Sequence, residues 1–183
     1  MQLVKPTKKY EKSWHEALAE FRAERRKGFW NWEKEPTNLE DYIKVTRDNE
    51  KGKSLPKDWA PATTYWLIDK DQFVGHTNIR HKLNDYLAKG GGNIGYYIRP
   101  SVRGKGYGTK ILELALIKAK KLGLQKVLVT CDESNIASKK IIEKNKGQFQ
   151  DKVPGEGEPR LRYWIELCTP FILFTLFHSF SLI

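Results

Sequence analysis

The chain holds 183 residues, 39% of them hydrophobic and 12% aromatic, with 33 Lys and Arg against 22 Asp and Glu. This mixture excludes disordered, collagen-like and low-complexity classes and leaves one globular unit long enough to bury a sizeable core. The formal charge of +11 brings nucleic acid, a phosphorylated ligand or an acidic surface into consideration as an anionic partner without choosing among them.

In chain order, a short apolar start at Leu3 and Val4 precedes Tyr10, Trp14, Ala17, Leu18 and Phe21. Their spacing predicts an amphipathic helix from near Thr7. Asn38 as N-cap, Glu40 and Asp41 in the first turn, and a stripe of Leu39, Tyr42, Ile43 and Thr46 predict a second helix that stops before Gly52. Thr63 to Ile68 and Phe73 to Ile79 are rich in β-formers and are separated by Asp69-Lys70-Asp71-Gln72, the pattern of a hairpin. A polar loop closing with Gly90-Gly91-Gly92 leads to a short strand at Ile94–Ile98, which Pro100 helps to end. Ile111, Leu112, Ala115, Leu116, Ala119 and Leu122 share one helical face, and Gly123 supplies the stop. Lys126 to Thr130 reads as a strand buried on both faces, so strand, helix and strand form a βαβ unit with parallel neighbours. A further helix is expected over Asn135 to Lys144, and closing strands near Phe149 and from Leu161 to Leu167.

Between the strand ending at Ile98 and the long helix lies Arg103-Gly104-Lys105-Gly106-Tyr107-Gly108-Thr109. Three glycines in five residues allow a tight turn and leave N–H groups unshielded at a helix N-terminus, where partial positive charge favours phosphate oxygens. The spacing does not fit a P-loop, and a dinucleotide fingerprint would need glycine or alanine where Thr109 stands. A flexible turn without a ligand is the structural alternative.

The segment Arg103-x-x-Gly106-x-Gly108 resembles the pyrophosphate loop, Arg/Gln-x-x-Gly-x-Gly/Ala, of the GNAT superfamily of acetyl-CoA-dependent N-acetyltransferases. The resemblance extends through Ile94 to Pro100 before the loop and Asn135-x-x-Ser138 after the next strand. It is strongest to a bacterial subgroup carrying Arg-His-x-Leu-Asn, here Arg80-His81-Lys82-Leu83-Asn84. It implies an α/β fold over residues 1–167, with a central mixed, splayed β-sheet flanked by helices and the pantetheine arm of acetyl-CoA lodged between two diverging parallel strands. Main-chain groups near Tyr96, Tyr97 and Ile98 would then bind that arm, and the N–H groups of Gly104, Lys105, Gly106, Tyr107, Gly108 and Thr109 the pyrophosphate. Arg103 and Lys105 would add charge. Asn135 and Ser138 would touch the cofactor and cap the following helix.

Acetyl transfer to an amine needs a neutral nucleophile, an oxyanion donor and departure of a thiolate. The Ile98 N–H is the donor implied by position. Many relatives place a tyrosine acid seven residues after the asparagine, and some a glutamate base five residues before it; here those positions hold Ile142 and Thr130. Direct thiolate departure from a thiol of pKa about 8.5 costs roughly 2 kcal/mol at pH 7, which positioning can offset. For the base, His81 and Glu133 are candidates, each with a structural alternative: a hydrogen-bonded strand-end histidine and a solvated loop carboxylate. A water relay is a third option. His76 reads as a sheet residue, and Trp30, Trp32 and Trp59 as packing residues or the lining of an acceptor cleft. No metal is expected for this transfer.

Cys131 and Cys168 are too few for a disulfide framework or a four-thiolate zinc site, and Met1 to Pro6 lacks the pattern of a secretory signal. A cytoplasmic setting is expected. The last 16 residues, 168–183, carry no formal charge but four of the eight Phe. As a helix they would reach about 24 Å, short of a roughly 30 Å hydrocarbon core, so no transmembrane span is expected. Docking on the domain, a homodimer contact, a surface membrane anchor and an appended terminus stay open. The rival function is a basic nucleic-acid-binding module; its Lys residues are dispersed over several helix faces and no reader motif is present, so no nucleic acid is expected.

Overall fold

The computed structural model describes residues 1–24, 36, 38–53, 55–155 and 157–167; Trp30, Trp32 and the tail from 168 to 183 lie outside the described residues. The chain starts with β1 (Gln2–Val4) and a tight turn at Lys8–Tyr10, followed by α1 (Glu11–Glu24) and α2 (Leu39–Glu50). Asn38 caps α2 as expected, its Oδ1 accepting from the N–H groups of Glu40 at 2.7 Å and Asp41 at 3.2 Å. The hairpin is β2 (Ala62–Asp69) and β3 (Gln72–Arg80), turning through Lys70 and Asp71 at φ +46° and +59°. Two left-handed residues are what a two-residue hairpin turn requires.

After β3 the polar loop is not irregular. It winds into one wide helical turn at Leu87–Gly91 that delivers the chain to β4 (Ile94–Ile98). Then come α3 (Tyr107–Lys121), β5 (Lys126–Asp132), α4 (Ile136–Lys144), β6 (Gln148–Val153) and β7 (Arg160–Glu166). Gly123, at φ +88°, ends α3 where the sequence places its stop.

The strands form two antiparallel sheets, β1-β2-β3-β4 and β5-β7-β6. The four-stranded sheet is covered on both faces, which is why β2 is buried almost throughout. Trp66, Ile68 and Phe73 join Trp14, Leu18 and Tyr42 of α1 and α2 on one side. Leu67, Val74 and Ile79 join Ile111, Leu112 and Ala115 of α3 on the other, in a cluster that continues into Val127, Val129, Tyr163 and Ile165 of the second sheet. Each large side chain so buried contributes about 1.5–3 kcal/mol.

β4 and β5 are neighbours across the two sheets, joined at their start. The Asn93 N–H donates to Leu128 O at 2.6 Å, and the Leu128 N–H donates back to Asn93 Oδ1 at 2.8 Å. Beyond this junction the strands diverge, and this gap between otherwise antiparallel sheets gives the fold its splayed, mixed character.

Candidate active site

A cavity of about 270 Å³ lies in the gap, walled by β4, the end of β5, the starts of α3 and α4, and the end of α1. The strand register decides which main-chain groups face it. Arg80 N–H donates to Asn93 O at 2.8 Å and Arg99 N–H to Val74 O at 2.9 Å, and the register pairs Tyr97 with His76 and Gly95 with Asn78. By antiparallel alternation Gly95, Tyr97 and Arg99 spend their main-chain bonds on β3. The N–H and C=O groups of Tyr96 and Ile98 therefore point into the gap, while Tyr97 contributes to the cavity wall and its ring stacks on His76 at 5.4 Å between centroids. On the opposite strand Leu128 faces Asn93, so the same alternation turns Thr130 and Asp132 toward the gap.

Three side chains hold the gap's narrow end. Arg80, 7% exposed, donates to Gly91 O at 3.0 Å and Gly92 O at 3.1 Å. Burial lowers its pKa to about 10, so it keeps its charge at neutral pH. Asn84 Oδ1 accepts from Leu87 N–H at 2.9 Å and starts the wide turn. Thr130 Oγ1 donates to Gly90 O at 2.6 Å, binding that turn to β5. The Arg-His-x-Leu-Asn segment thus works on the glycine turn that sets the strand gap.

At the wide end, Gly104 and Gly106 have φ of +78° and +84°, and a Cβ on either would meet open space. These glycines are there for backbone conformation. Gly108 differs: its added Cβ would lie 2.4 Å from Ile141 Cδ1, so it lets α3 and α4 approach. The N–H groups of Tyr107, Gly108 and Thr109 occupy the first helical turn, where no main-chain acceptor lies within the helix. Arg103, Gly104, Tyr107 and Gly108 border the cavity; Lys105, Gly106 and Thr109 complete the same turn. Tyr107 OH donates to Asp69 Oδ2 at 2.8 Å, which ties the turn to the β2–β3 hairpin.

Arg103 is engaged within the protein. Its Nε donates to Ile98 O at 3.1 Å, and its two terminal nitrogens bond the Glu24 carboxylate, Nη2 to Oε2 at 2.8 Å. Asn135 caps α4, its Oδ1 accepting from Ser138 N–H at 3.1 Å, and Ser138 Oγ accepts from Tyr96 OH at 3.3 Å. Burial raises the Tyr96 phenol well above its ordinary range, so it stays protonated as a donor. Cys131, also in the cavity wall, is pushed up to about 11 by burial and is a poor thiolate.

The two candidate bases lie elsewhere. His76, Asn78 and Arg80 alternate along the cavity side of β3, and His81 comes one position later, facing the other way. Its Nε2 lies 2.8 Å from Thr63 Oγ1, which in turn donates to Glu50 Oε1 at 3.1 Å. Glu133 is exposed and paired with Lys152 at 2.9 Å. Neither is among the residues lining the cavity. Trp59 is half exposed. Among the described residues no group of His, Cys, Asp and Glu could hold a metal ion, and no helix is long and apolar enough to cross a membrane.

Sequence reasoning missed Asn93 and Glu24. The signal for Asn93 was a polar residue between a glycine run and an apolar strand; Glu24 carried none, because its partner is 79 residues away.

A family model described as acetyltransferase (GNAT) domain matches residues 6–148. Similar solved structures include yncA of Salmonella typhimurium with its cofactor acetyl-CoA, at 13% identity, 92% of this chain and 95% of that chain, TM-score 0.63. An N-acetyltransferase of Staphylococcus aureus shares 15% identity over 91% of this chain and 98% of that one, TM-score 0.63. Mycobacterium smegmatis RimJ in complex with CoA-disulfide shares 14% identity over 90% and 80%, TM-score 0.66. No curated protein matches the sequence.

Proposed function

Because the chain belongs to the GNAT acetyltransferase family, we propose that it uses acetyl-CoA to acetylate a primary amine by direct attack on the thioester. The observation that carries this reading is the pairing of two features at opposite ends of one gap. The N–H of Ile98 is turned into the space between β4 and β5, and the left-handed turn at Gly104 and Gly106 presents unpaired first-turn N–H groups with no side chain above them. A strand-like pantetheine arm fits such an unpaired edge, and a diphosphate fits such a helix start.

In this reading Tyr96 and Ile98 hold the arm through main-chain bonds, and Tyr97 shapes the wall beside it. The turn from Gly104 through Lys105, Gly106, Tyr107 and Gly108 to Thr109 cradles the diphosphate. Acetyl-CoA supplies the activated acetyl group. The Ile98 N–H donates to the thioester oxygen as that oxygen gains charge, a contribution typically worth several kcal/mol in a site that excludes water. Ser138, Asn135 and Tyr96 keep the start of α4 against the arm. Arg103 acts through Ile98 and Glu24, and Lys105 adds exposed positive charge beside the diphosphate. The amine's proton passes to water, since His81 is bonded to Thr63 and Glu133 to Lys152, both away from the cavity.

The test is calorimetric titration with acetyl-CoA, followed by an assay of thiol release over a panel of amines and peptides. A hundredfold excess over Kd should stabilise the fold by about 2.7 kcal/mol. Gly106→Trp, built where a side chain meets open space but φ is +84°, should abolish binding with the fold retained. Unchanged affinity in that variant would remove the cradle assignment.

A further inference from the structure

We propose that Asn78 and the bare stretch of β4 at Gly95 form the acceptor's subsite, with the Asn78 amide oxygen taking an N–H of the attacking amine. This rests on the acetyltransferase reading above and deepens it: the acceptor is an unhindered amine recognised in its neutral form through a hydrogen-bond donor. Asn78 borders the cavity although the residue is only 7% exposed. Strand parity sets its side chain beside those of His76 and Arg80, on the sheet face where Trp66, the partner of His76, packs against α1 and α2.

The Asn78 side chain is half satisfied. Its Nδ2 donates to Thr64 Oγ1 at 3.2 Å, a buried bond that fixes which way the amide points. Among the described residues no group donates to its Oδ1, an acceptor with two lone pairs that is open to the cavity. So deeply placed an acceptor is costly to leave unmatched, and an arriving N–H removes that cost. Other polar side chains on the cavity wall are engaged within the chain. Arg80 bonds Gly91 O and Gly92 O, Thr130 bonds Gly90 O, Ser138 bonds Tyr96 OH, and Asp132 pairs with Arg160 at 3.2 Å.

Gly95 points to the same place. It stands directly opposite Asn78 in the β3–β4 ladder, so a side chain on it would project from the same face. A glycine inside a strand weakens it, and it belongs where φ is positive, where packing leaves no room, or where a ligand comes close. Gly95 is not among the residues of positive φ, and a Cβ built on it meets nothing within 4 Å. Gly75 on β3 is the packing case, its added Cβ lying 2.5 Å from Tyr97 O. At Gly95 what is left is space beside an unmatched acceptor. The cofactor's arm enters from the turn after β4 and runs back along that strand, so Asn78 and Gly95 lie ahead of its acetyl tip. With one N–H held by Asn78, the amine keeps its lone pair for the thioester and sets its carbon over Gly95. An amide oxygen does this without holding the amine as an ammonium ion, which a carboxylate would favour.

The test needs no knowledge of the natural acceptor. The thioether CoA-S-CH2-CO-NH-CH3 carries an amide N–H close to the position of the attacking nitrogen, and CoA-S-CH2-CO-O-CH3 keeps the shape but puts an oxygen in its place. Calorimetry on the full chain should show the amide binding at least about tenfold tighter than the ester, because the ester leaves Asn78 Oδ1 unmatched. Asn78→Leu should erase that preference while keeping the acetyl-CoA affinity, which also shows that the variant folds. Asn78→Asp, which keeps an oxygen acceptor, should retain it. Gly95→Val should weaken the amide about tenfold and leave acetyl-CoA binding as it was, because only the acceptor half reaches that space. Equal binding of amide and ester by the unmodified chain, a preference that survives Asn78→Leu or is lost in Asn78→Asp, or amide binding untouched by Gly95→Val would overturn the assignment. Failure of both analogues and of acetyl-CoA to bind the unmodified chain would overturn the acetyltransferase reading itself.

Discussion

Asn93 meets Leu128 twice, its N–H donating to Leu128 O at 2.6 Å and its side-chain oxygen accepting from Leu128 N–H at 2.8 Å, and this pair of hydrogen bonds is the hinge from which β4 and β5 part. The side chain stands in for a second strand residue. Its Nδ2 also reaches Arg80 O at 3.4 Å, so one buried amide links three strands at the narrow end of the gap.

Asn93→Ala should therefore destabilise the fold by about 1–3 kcal/mol, the cost of leaving the buried Leu128 N–H without an acceptor. Urea denaturation measures the loss. Acetyl-CoA affinity should fall with it, because the variant no longer fixes the angle of the gap; an unchanged denaturation midpoint would contradict the hinge role.

The glycines of the turn should separate by mechanism. Gly106→Ala should cost about 1–2 kcal/mol from left-handed strain alone, since its Cβ meets nothing. For Gly108 the cost is contact with Ile141 Cδ1. A double-mutant cycle should show Ile141→Val costing less in a Gly108→Ala background than in the unmodified chain, by about 0.5–1 kcal/mol. Strict additivity would show that the two helices do not meet as described.

His76 should tie stability to pH. It is fully buried against Trp66 and Tyr97, and burial lowers its pKa to about 3, against an ordinary value of 6.5. Its contribution is complete above about pH 6.5 and is lost as pH falls from there toward 3, because the unfolded chain takes up a proton that the folded one refuses. Between pH 7 and 5 the loss from this residue should be about 2 kcal/mol. His76→Gln should flatten that part of the stability profile relative to the unmodified chain. The carboxyls of Glu20 and Glu50, both held below their ordinary range, titrate at lower pH and do not contribute in this window. Parallel profiles for the two proteins would exclude His76 as the source.

Arg99 and Glu20 should be energetically coupled. Arg99 Nε donates to Glu20 Oε1 at 2.7 Å, and Nη2 reaches Glu16 Oε2 at 3.3 Å, which anchors the segment after β4 to α1. Burial alone would raise the Glu20 pKa; the Ser101 N–H and hydroxyl and Arg99 together hold it below the usual range. Arg99→Met and Glu20→Gln should show a coupling of about 1–2 kcal/mol in a urea-based cycle, since urea does not screen the charges as a salt would. A coupling near zero would reduce the pair to a surface contact.

Much of the architecture is local and so was open to reading in one dimension. The apolar face of α3, the Asn38 cap, the stop at Gly123 and the two-residue hairpin turn all follow from residues within a few positions of one another. The loop from Arg103 to Thr109 was legible for the same reason: glycine before a helix start is a statement about backbone angles.

What the linear chain could not contain is pairing at a distance and strand parity. One position separates Arg80, on the cavity side of β3, from His81 on the far side, and only the register decides which of them faces the gap. Gly108 looks like its neighbours until Ile141 is set against it. Arg103 reads as a phosphate ligand until Glu24 arrives from 79 residues away to occupy it. Local propensity determined the elements and the glycine turn before α3; long-range packing alone decided which charges meet at the mouth of the gap, because those contacts form only once the two sheets have closed on Asn93 and Leu128.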